Sequence, residues 1–375
     1  MSGIYIHIPF CKQKCNYCDF FSVVSKKNIK NYLQAILIEI ELQKNFLNKE
    51  IETIYFGGGT PSILSVYDIN KILEKIEKNF ILNDNVEITL EANPENLNKN
   101  YLKNLKSTKI NRLSIGIQSF NDEDLIFLNR KHKKKDSIIS IKNAQNLGFE
   151  NISIDLIYGI PNMNLGRFLE NLNIFFNLKL QHLSAYSLEF EEKTILYRLL
   201  KKNIIKKVSE EKSLQFFKLL VKKAIENNFI HYEISNFGKK NFFSIHNSNY
   251  WKNKKYLGIG VSAHSYNKIY RKWNISNISK YIDSIKNKNE IIAEKEILDN
   301  KTKYNDYILT SLRTIWGIDL IRIENNFGIF FKKYCLKNSQ KFIKKNLLIK
   351  KNNKIIFSEK GKFIIDGIIS DLFFI

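Results

Sequence analysis

The sequence predicts an α/β fold: a partial (β/α)6 barrel followed by a smaller, winged-helix-like C-terminal domain. Three observations carry this. Short β-branched runs alternate with amphipathic stretches six times in the first part of the chain, and such alternation implies a parallel sheet with right-handed crossovers. All four prolines, Pro9, Pro61, Pro94 and Pro161, fall at or just beyond the end of a predicted strand, where a residue unable to continue a central ladder belongs. From about residue 300 the pattern turns to helices that end in one short strand and a closing helix. An open doubly wound sheet is the alternative architecture for the first part.

In chain order, the strands are expected at 4–8, 52–56, 86–90, 112–117, 152–157 and 182–187. Between them, 32–46 places Leu33, Ile36, Leu37 and Ile40, with Leu47 just beyond, at helical spacing. The stretches 67–76 and 137–146 read the same way. A helix at 209–227 and a strand at 230–234 complete a barrel unit of residues 1–235. Residues 236–299 read as a connecting region containing His246–Trp251 and the glycine-bearing segment 258–265. The C-terminal unit, 300–375, offers a helix at 307–314, a turn at Gly317, a strand at 354–357 and a helix at 363–372.

Composition excludes more than it selects. A chain of 375 residues that is 44% hydrophobic can bury a large core. No apolar run reaches the roughly 18 to 20 residues of a membrane span. Residues 1–10 lack a charged leader and a long apolar stretch, so a cytoplasmic protein is expected. The formal charge of +23 comes from lysines spread along the whole chain beside abundant asparagine and isoleucine. That spread describes solvated positions rather than a nucleic-acid surface, and no nucleic-acid partner is expected; peripheral contact with a membrane stays compatible with it.

Cysteine usage is pointed. Of four cysteines, Cys11, Cys15 and Cys18 fall within eight residues, and Cys335 stands apart as a small core residue. Clustered thiols in a chain without an export signal read as metal or cluster ligands. The spacing C-x3-C-x2-C can hold three corners of a [4Fe–4S] cube. The fourth iron is then open to an outside chelator, and the amino and carboxylate groups of S-adenosylmethionine (SAM) fill that role in this chemistry. Structural zinc is the competing use, and it needs a fourth ligand such as His7. His7 precedes Cys11 by four residues on a strand, which is poor geometry for joining the loop.

Other unusual residues sit at the same strand ends. Gly57, Gly58, Gly59 and Thr60 follow the second strand, where glycine lets backbone approach a ligand closely. Glu91 follows the third strand, Gln118 the fourth, and Asp155 comes late in the fifth. These three offer acceptors and an amide suited to ribose hydroxyls and an ammonium, though each alone also suits local capping. In a parallel barrel, the C-terminal strand ends form one face where chemistry is placed. Arg130 opens a run of basic residues, of which one member would turn inward.

Taken together, Tyr5-Ile-His-Ile-Pro-Phe-Cys11, Gly57-Gly-Gly-Thr-Pro61, Glu91-Ala-Asn-Pro94, Ser114-Ile-Gly-Ile-Gln-Ser-Phe120 and Asp155-Leu-Ile-Tyr-Gly-Ile-Pro161 resemble the radical SAM family around oxygen-independent coproporphyrinogen III oxidase. The resemblance runs over essentially the whole chain and is most similar to the family's haem-chaperone branch. The decarboxylating oxidase carries a further cysteine two residues past the third, where this chain has Phe20. The chaperone branch carries H-N-x-x-Y-W, present as His246-Asn-Ser-Asn-Tyr-Trp251.

The resemblance implies a radical SAM partial barrel with a [4Fe–4S] cluster on Cys11, Cys15 and Cys18. It implies SAM contacts at Tyr5, Tyr17, Gly58, Gly59, Thr60, Glu91, Gln118, Arg130 and Asp155, the role of Arg130 coming from the resemblance alone. It also implies haem as cargo, with an acceptor protein and an electron donor as partners. His246 is the expected haem ligand, and His264 is a second candidate that reads as structural. An active coproporphyrinogen oxidase is the alternative function, and an RNA-modifying radical SAM enzyme a more remote one.

Overall fold

The computed structural model describes residues 2–25 and 27–375. Among these residues, twelve strands form one sheet. β1 (Ser2–Ile8), β2 (Ile51–Gly58), β3 (Leu82–Ala92), β4 (Arg112–Gln118), β5 (Asn151–Tyr158) and β6 (His182–Ser187) lie side by side in sequence order, all parallel. Beyond β6 come β8 (Asn236–Gly238) and β7 (Ile230–Glu233), both antiparallel to their neighbours. Beyond β1 come β9 (Lys255–Ile259), parallel to it, then β10 (His264–Tyr266), β11 (Tyr270–Asn274) and β12 (Ala293–Ile297). The order is linear from β12 to β7, so the barrel is partial, as expected.

Side-chain alternation explains why these strands curl around a polar interior. On β1, Ile4, Ile6 and Ile8 are fully buried, and Ile54 and Phe56 on β2, Ile88 and Leu90 on β3 and Ile152 and Ile154 on β5 repeat the pattern. They share one core with the helical residues Ile36, Ile40, Ile69, Ile72, Leu102, Ile141 and Phe175. Each such side chain contributes about 1.5–3 kcal/mol of transfer free energy. The intervening residues are Tyr5 and His7, Thr53 and Tyr55, Glu87, Thr89 and Glu91, Arg112 and Ser114, Ser153 and Asp155, His182 and Ser184. That face is almost wholly polar, and it lines the barrel.

The six predicted barrel strands all form, each within a few residues of its expected bounds. The first helix differs: it runs Ile29–Leu42 and ends at Gln43, whereas periodicity carried it to 46. Its fully buried Glu39 accepts hydrogen bonds from Tyr281 Oη (2.6 Å), Gly260 N (2.8 Å) and Asn274 Nδ2 (2.7 Å). That carboxylate ties the helix to residues 260–281, part of the segment expected to connect the two units. The segment therefore adds five strands to the sheet, β9 to β12 beyond β1 and β8 beyond β6.

The C-terminal residues have their own core, centred on Tyr304, Ile308, Leu312, Ile323, Cys335, Ile355 and Ile368. Its sheet is β13 (Ile318–Asp319), β15 (Lys354–Phe357) and β14 (Leu348–Lys351) in that spatial order, surrounded by helices. The expected closing helix is split into a 3₁₀ turn, Gly361–Ile364, and an α-helix, Ile365–Leu372. Backbone bonds from Ile234 N to Arg313 O (3.1 Å) and from Ile315 N to Tyr232 O (3.0 Å) join this part to β7. Among the described residues, no helix is long and apolar enough to cross a membrane.

Candidate functional site

The three thiols ride on a loop that leaves β1 and is fastened at several points. Cys11 N donates to Val23 O (2.9 Å) and Val23 N to Pro9 O (2.7 Å), closing the loop base. Gln13 Nε2 donates to Asn129 O (2.9 Å), Asn129 Nδ2 to Lys14 O (2.8 Å), and Asn16 Nδ2 to Phe127 O (2.8 Å). The loop is thus clamped onto the turn after helix Asp122–Phe127, which also carries Arg130.

A chain of hydrogen bonds then links two of the cysteines across the barrel mouth. Thr60 Oγ1 donates to Cys11 Sγ (3.4 Å) and accepts from Asn93 Nδ2 (3.2 Å). Asn93 Oδ1 accepts from Arg130 Nη2 (2.7 Å), which also donates to Gly116 O (2.7 Å), while Arg130 Nη1 donates to Cys15 Sγ (3.4 Å). Tyr17 is pushed to a higher pKa by burial, with Arg130, Cys15, Cys18 and Asp155 all close enough to act on its hydroxyl. Residues from the exits of β1, β2, β3, β4 and β5 therefore meet at one place. Asn93 was missed by sequence reasoning, although it lies inside the Glu91-Ala-Asn-Pro signal. It is the bridge between Thr60 and Arg130.

The glycines also have an immediate steric reason within the fold. A Cβ on Gly57 would lie 2.8 Å from Tyr5 Cε2, one on Gly58 2.5 Å from His7 Cε1, and one on Gly59 2.8 Å from Ile8 O. Gly58 also holds φ +107°. The loop lies flat on the exit of β1, with Gly59 N donating to Ile8 O (2.8 Å) and Thr60 N to Phe10 O (2.9 Å). The glycines make that close approach possible.

Glu91 accepts from Tyr55 Oη (2.8 Å) and from Gly58 N (3.2 Å). Burial pushes its carboxyl up to about 7. Asp155 is pushed up to about 6, again by burial, against the neighbouring Ser184 and Ser114 hydroxyls and the charges of Arg112 and Arg130. Gln118 ends β4 with φ +69° at an irregularity in the β4–β5 register, so its buried side chain turns back over Gly116. Two half-buried carboxyls poised near neutrality suit a cationic ligand. Arg130 Nε is buried without a hydrogen-bond partner among the described residues, leaving one donor for an anionic group. Sulfonium, ammonium and carboxylate are the charges of SAM, and the donor set fits them. Three thiols beside it fit the cluster. No three His, Cys, Asp or Glu side chains among the described residues converge as a single bound ion requires. His7 is engaged elsewhere, sharing hydrogen bonds with Tyr5 Oη (3.2 Å) and Phe21 O (3.0 Å).

His246 lies at the opposite, N-terminal end of the barrel. Glu87 accepts from the backbone nitrogens of Ile245 (3.0 Å) and His246 (2.9 Å), fixing the start of helix Ile245–Trp251. The imidazole packs on Tyr55, with ring centroids 4.9 Å apart, and is fully buried. Its Nδ1 shares a hydrogen bond with Thr53 Oγ1 (2.8 Å) and its Nε2 with Tyr250 Oη (2.8 Å). Burial and the charge of Arg112 hold its pKa down to about 3. Arg112 itself is buried in the interior, with Nε and Nη1 unpartnered among the described residues and Nη2 3.5 Å from His182 Nδ1. Strand alternation places Arg112 on the interior face, but nothing in the sequence marks its isolation.

The profile of the Radical SAM superfamily matches residues 5–175. A protein of Lactococcus lactis described as "Heme chaperone HemW" is 32% identical, with 98% of each chain covered. One of the same description from Bacillus subtilis is 32% identical, with 97% of each chain covered. Among solved structures, the coproporphyrinogen III oxidase HemN of Escherichia coli superposes with a TM-score of 0.85 at 23% identity, covering 99% of this chain and 89% of that one. The chain belongs to the radical SAM superfamily, and within it to the HemW family. Its family chemistry is that of a [4Fe–4S] cluster and SAM.

Proposed function

We propose that the chain binds haem and hands it to an acceptor protein, on a core that carries a [4Fe–4S] cluster and SAM. The observation that carries this reading is full-length similarity to relatives described as haem chaperones. The residue two beyond Cys18 supports it. Phe20 is 68% exposed on the cluster loop and brings no thiol to the site. An oxidase of this family has a cysteine there.

In this reading Cys11, Cys15 and Cys18 hold the cluster. When bound, the cluster can supply an electron to SAM. Tyr5 and Tyr17 flank SAM, Gly58, Gly59 and Thr60 hold its methionine part, and Glu91 in its ionised form faces the ammonium. Gln118, Arg130 and Asp155 complete the contacts. Residues 1–235 carry the cofactor site, 236–299 complete its sheet with β8 to β12, and the C-terminal unit 300–375 adjoins β7.

Titration of the purified full chain with haem tests the proposal. Saturable growth of a Soret band, together with no protoporphyrinogen from coproporphyrinogen under anaerobic reducing conditions, is the expected result. No Soret band, combined with sustained porphyrinogen turnover, would establish the oxidase instead.

A further inference from the structure

A haem-binding protein that uses histidine must offer the iron a ring nitrogen with a free lone pair. The six histidines differ sharply in this respect. His7, His132, His182, His231 and His246 are all buried, and each has a ring nitrogen in a hydrogen bond inside the protein. In His246 both nitrogens are taken, so an iron there must first displace Thr53 or Tyr250 from a fully enclosed pocket. His264 is exposed, and neither of its ring nitrogens bonds to another described residue.

The surroundings of His264 suit a flat aromatic ligand. It stands directly across from Trp273 in the β10–β11 pair, and their rings lie nearly parallel, 24° apart, with centroids separated by 5.8 Å. Trp273 Nε1 donates to Glu294 Oε2 (3.1 Å), which fixes the indole in place. Tyr266 continues the same face, followed by Tyr256 at 6.0 Å. Arg271 on this face is occupied by Glu296 Oε2 (2.5 Å) and Asp306 Oδ2 (3.4 Å). Partial burial and Arg271 hold the His264 pKa below its ordinary value, so the ring is neutral at pH 7 and keeps the lone pair a metal needs. β9 lies between β10 and β1, with Gly258 paired to Tyr5, so this ledge adjoins the strand that leads into the cysteine loop.

Resting on the haem reading above, we propose that His264 supplies the haem iron ligand, with Trp273 as the adjoining aromatic wall, and that His246 is a structural residue of the barrel floor. Haem then docks on the exposed sheet face beside the cluster site, where an acceptor can reach it.

Haem titration of the full-length protein and three variants tests this, read by the Soret band and by electron paramagnetic resonance of the ferric form. His264→Ala is expected to weaken binding by about tenfold or more. His264→Met is expected to bind with a shifted Soret band and a changed ferric spectrum, which a merely structural residue would not produce. His246→Ala is expected to lower the melting temperature while its folded fraction keeps the wild-type spectrum. A wild-type spectrum and affinity in His264→Ala, with both lost in folded His246→Ala, would overturn the assignment alone. No haem binding by the wild-type chain would remove the haem reading and this assignment together.

Discussion

Glu91 shows how a single residue connects environment to chemistry. Its carboxyl is pushed up to about 7 and that of Asp155 up to about 6, burial being the main cause for each. In an unfolded chain both titrate near about 4. Between those values the unfolded chain releases protons that the folded chain retains. The cofactor-free protein therefore loses stability as pH rises from about 4 to 7 and levels off above. A cationic ligand needs the ionised carboxylates, so SAM binding strengthens over the same rise. Melting curves and SAM titrations from pH 5 to 8 (~) check both slopes, and Glu91→Gln is expected to flatten each while weakening SAM binding by roughly tenfold or more. At the barrel floor, His246→Ala strands Thr53 and Tyr250 and leaves a cavity, costing about 2–4 kcal/mol by denaturant unfolding. Much of this scale was legible in the sequence: the strand-end positions of Cys11, Thr60, Glu91 and Asp155 follow from period-two patterning and proline placement. The contrast between His246 and His264 was not, because the partners of His246 include Thr53, 193 positions away, and no local pattern reports such a contact.

At the scale of elements, the site depends on two fastenings that lie outside the motifs. The first is the clamp between the cysteine loop and Asn129, which makes hydrogen bonds in both directions. Asn129→Ala is expected to lower the yield of reconstituted cluster without unfolding the chain, measured as iron per protein beside the melting curve. The second is Glu39. Replacement by alanine strands Tyr281, Asn274 and Gly260 N in the core, and a loss of about 3–5 kcal/mol is expected. Helical periodicity read this stretch as simply amphipathic. A buried carboxylate breaks that pattern, and only the strands it receives reveal its purpose. The same limit explains residues 236–299: strands of three to five residues, such as His264–Tyr266, carry too few alternations to be distinguished from loop.

Across the whole molecule, an apolar outer layer of isoleucines and helices holds a sheet whose inner face is nearly all polar. That division was legible once the strands were placed, since each alternates apolar with polar residues. It gives the barrel mouth a single convergent site with three thiols, two carboxyls of raised pKa and a bridged arginine. The positive charge, in contrast, comes from lysines spread along the whole chain and singles out no site in the sequence. The central claim is a three-thiol cluster at that mouth in a protein that also takes haem. Its most direct test is the optical spectrum of the full chain after anaerobic reconstitution with iron and sulfide, followed by addition of haem. The account predicts the broad absorbance of a [4Fe–4S] cluster, lost in Cys11→Ala, Cys15→Ala or Cys18→Ala, with a Soret band growing on top of it in the wild-type chain. A spectrum without cluster absorbance, or one unchanged by loss of any of the three thiols, would contradict it.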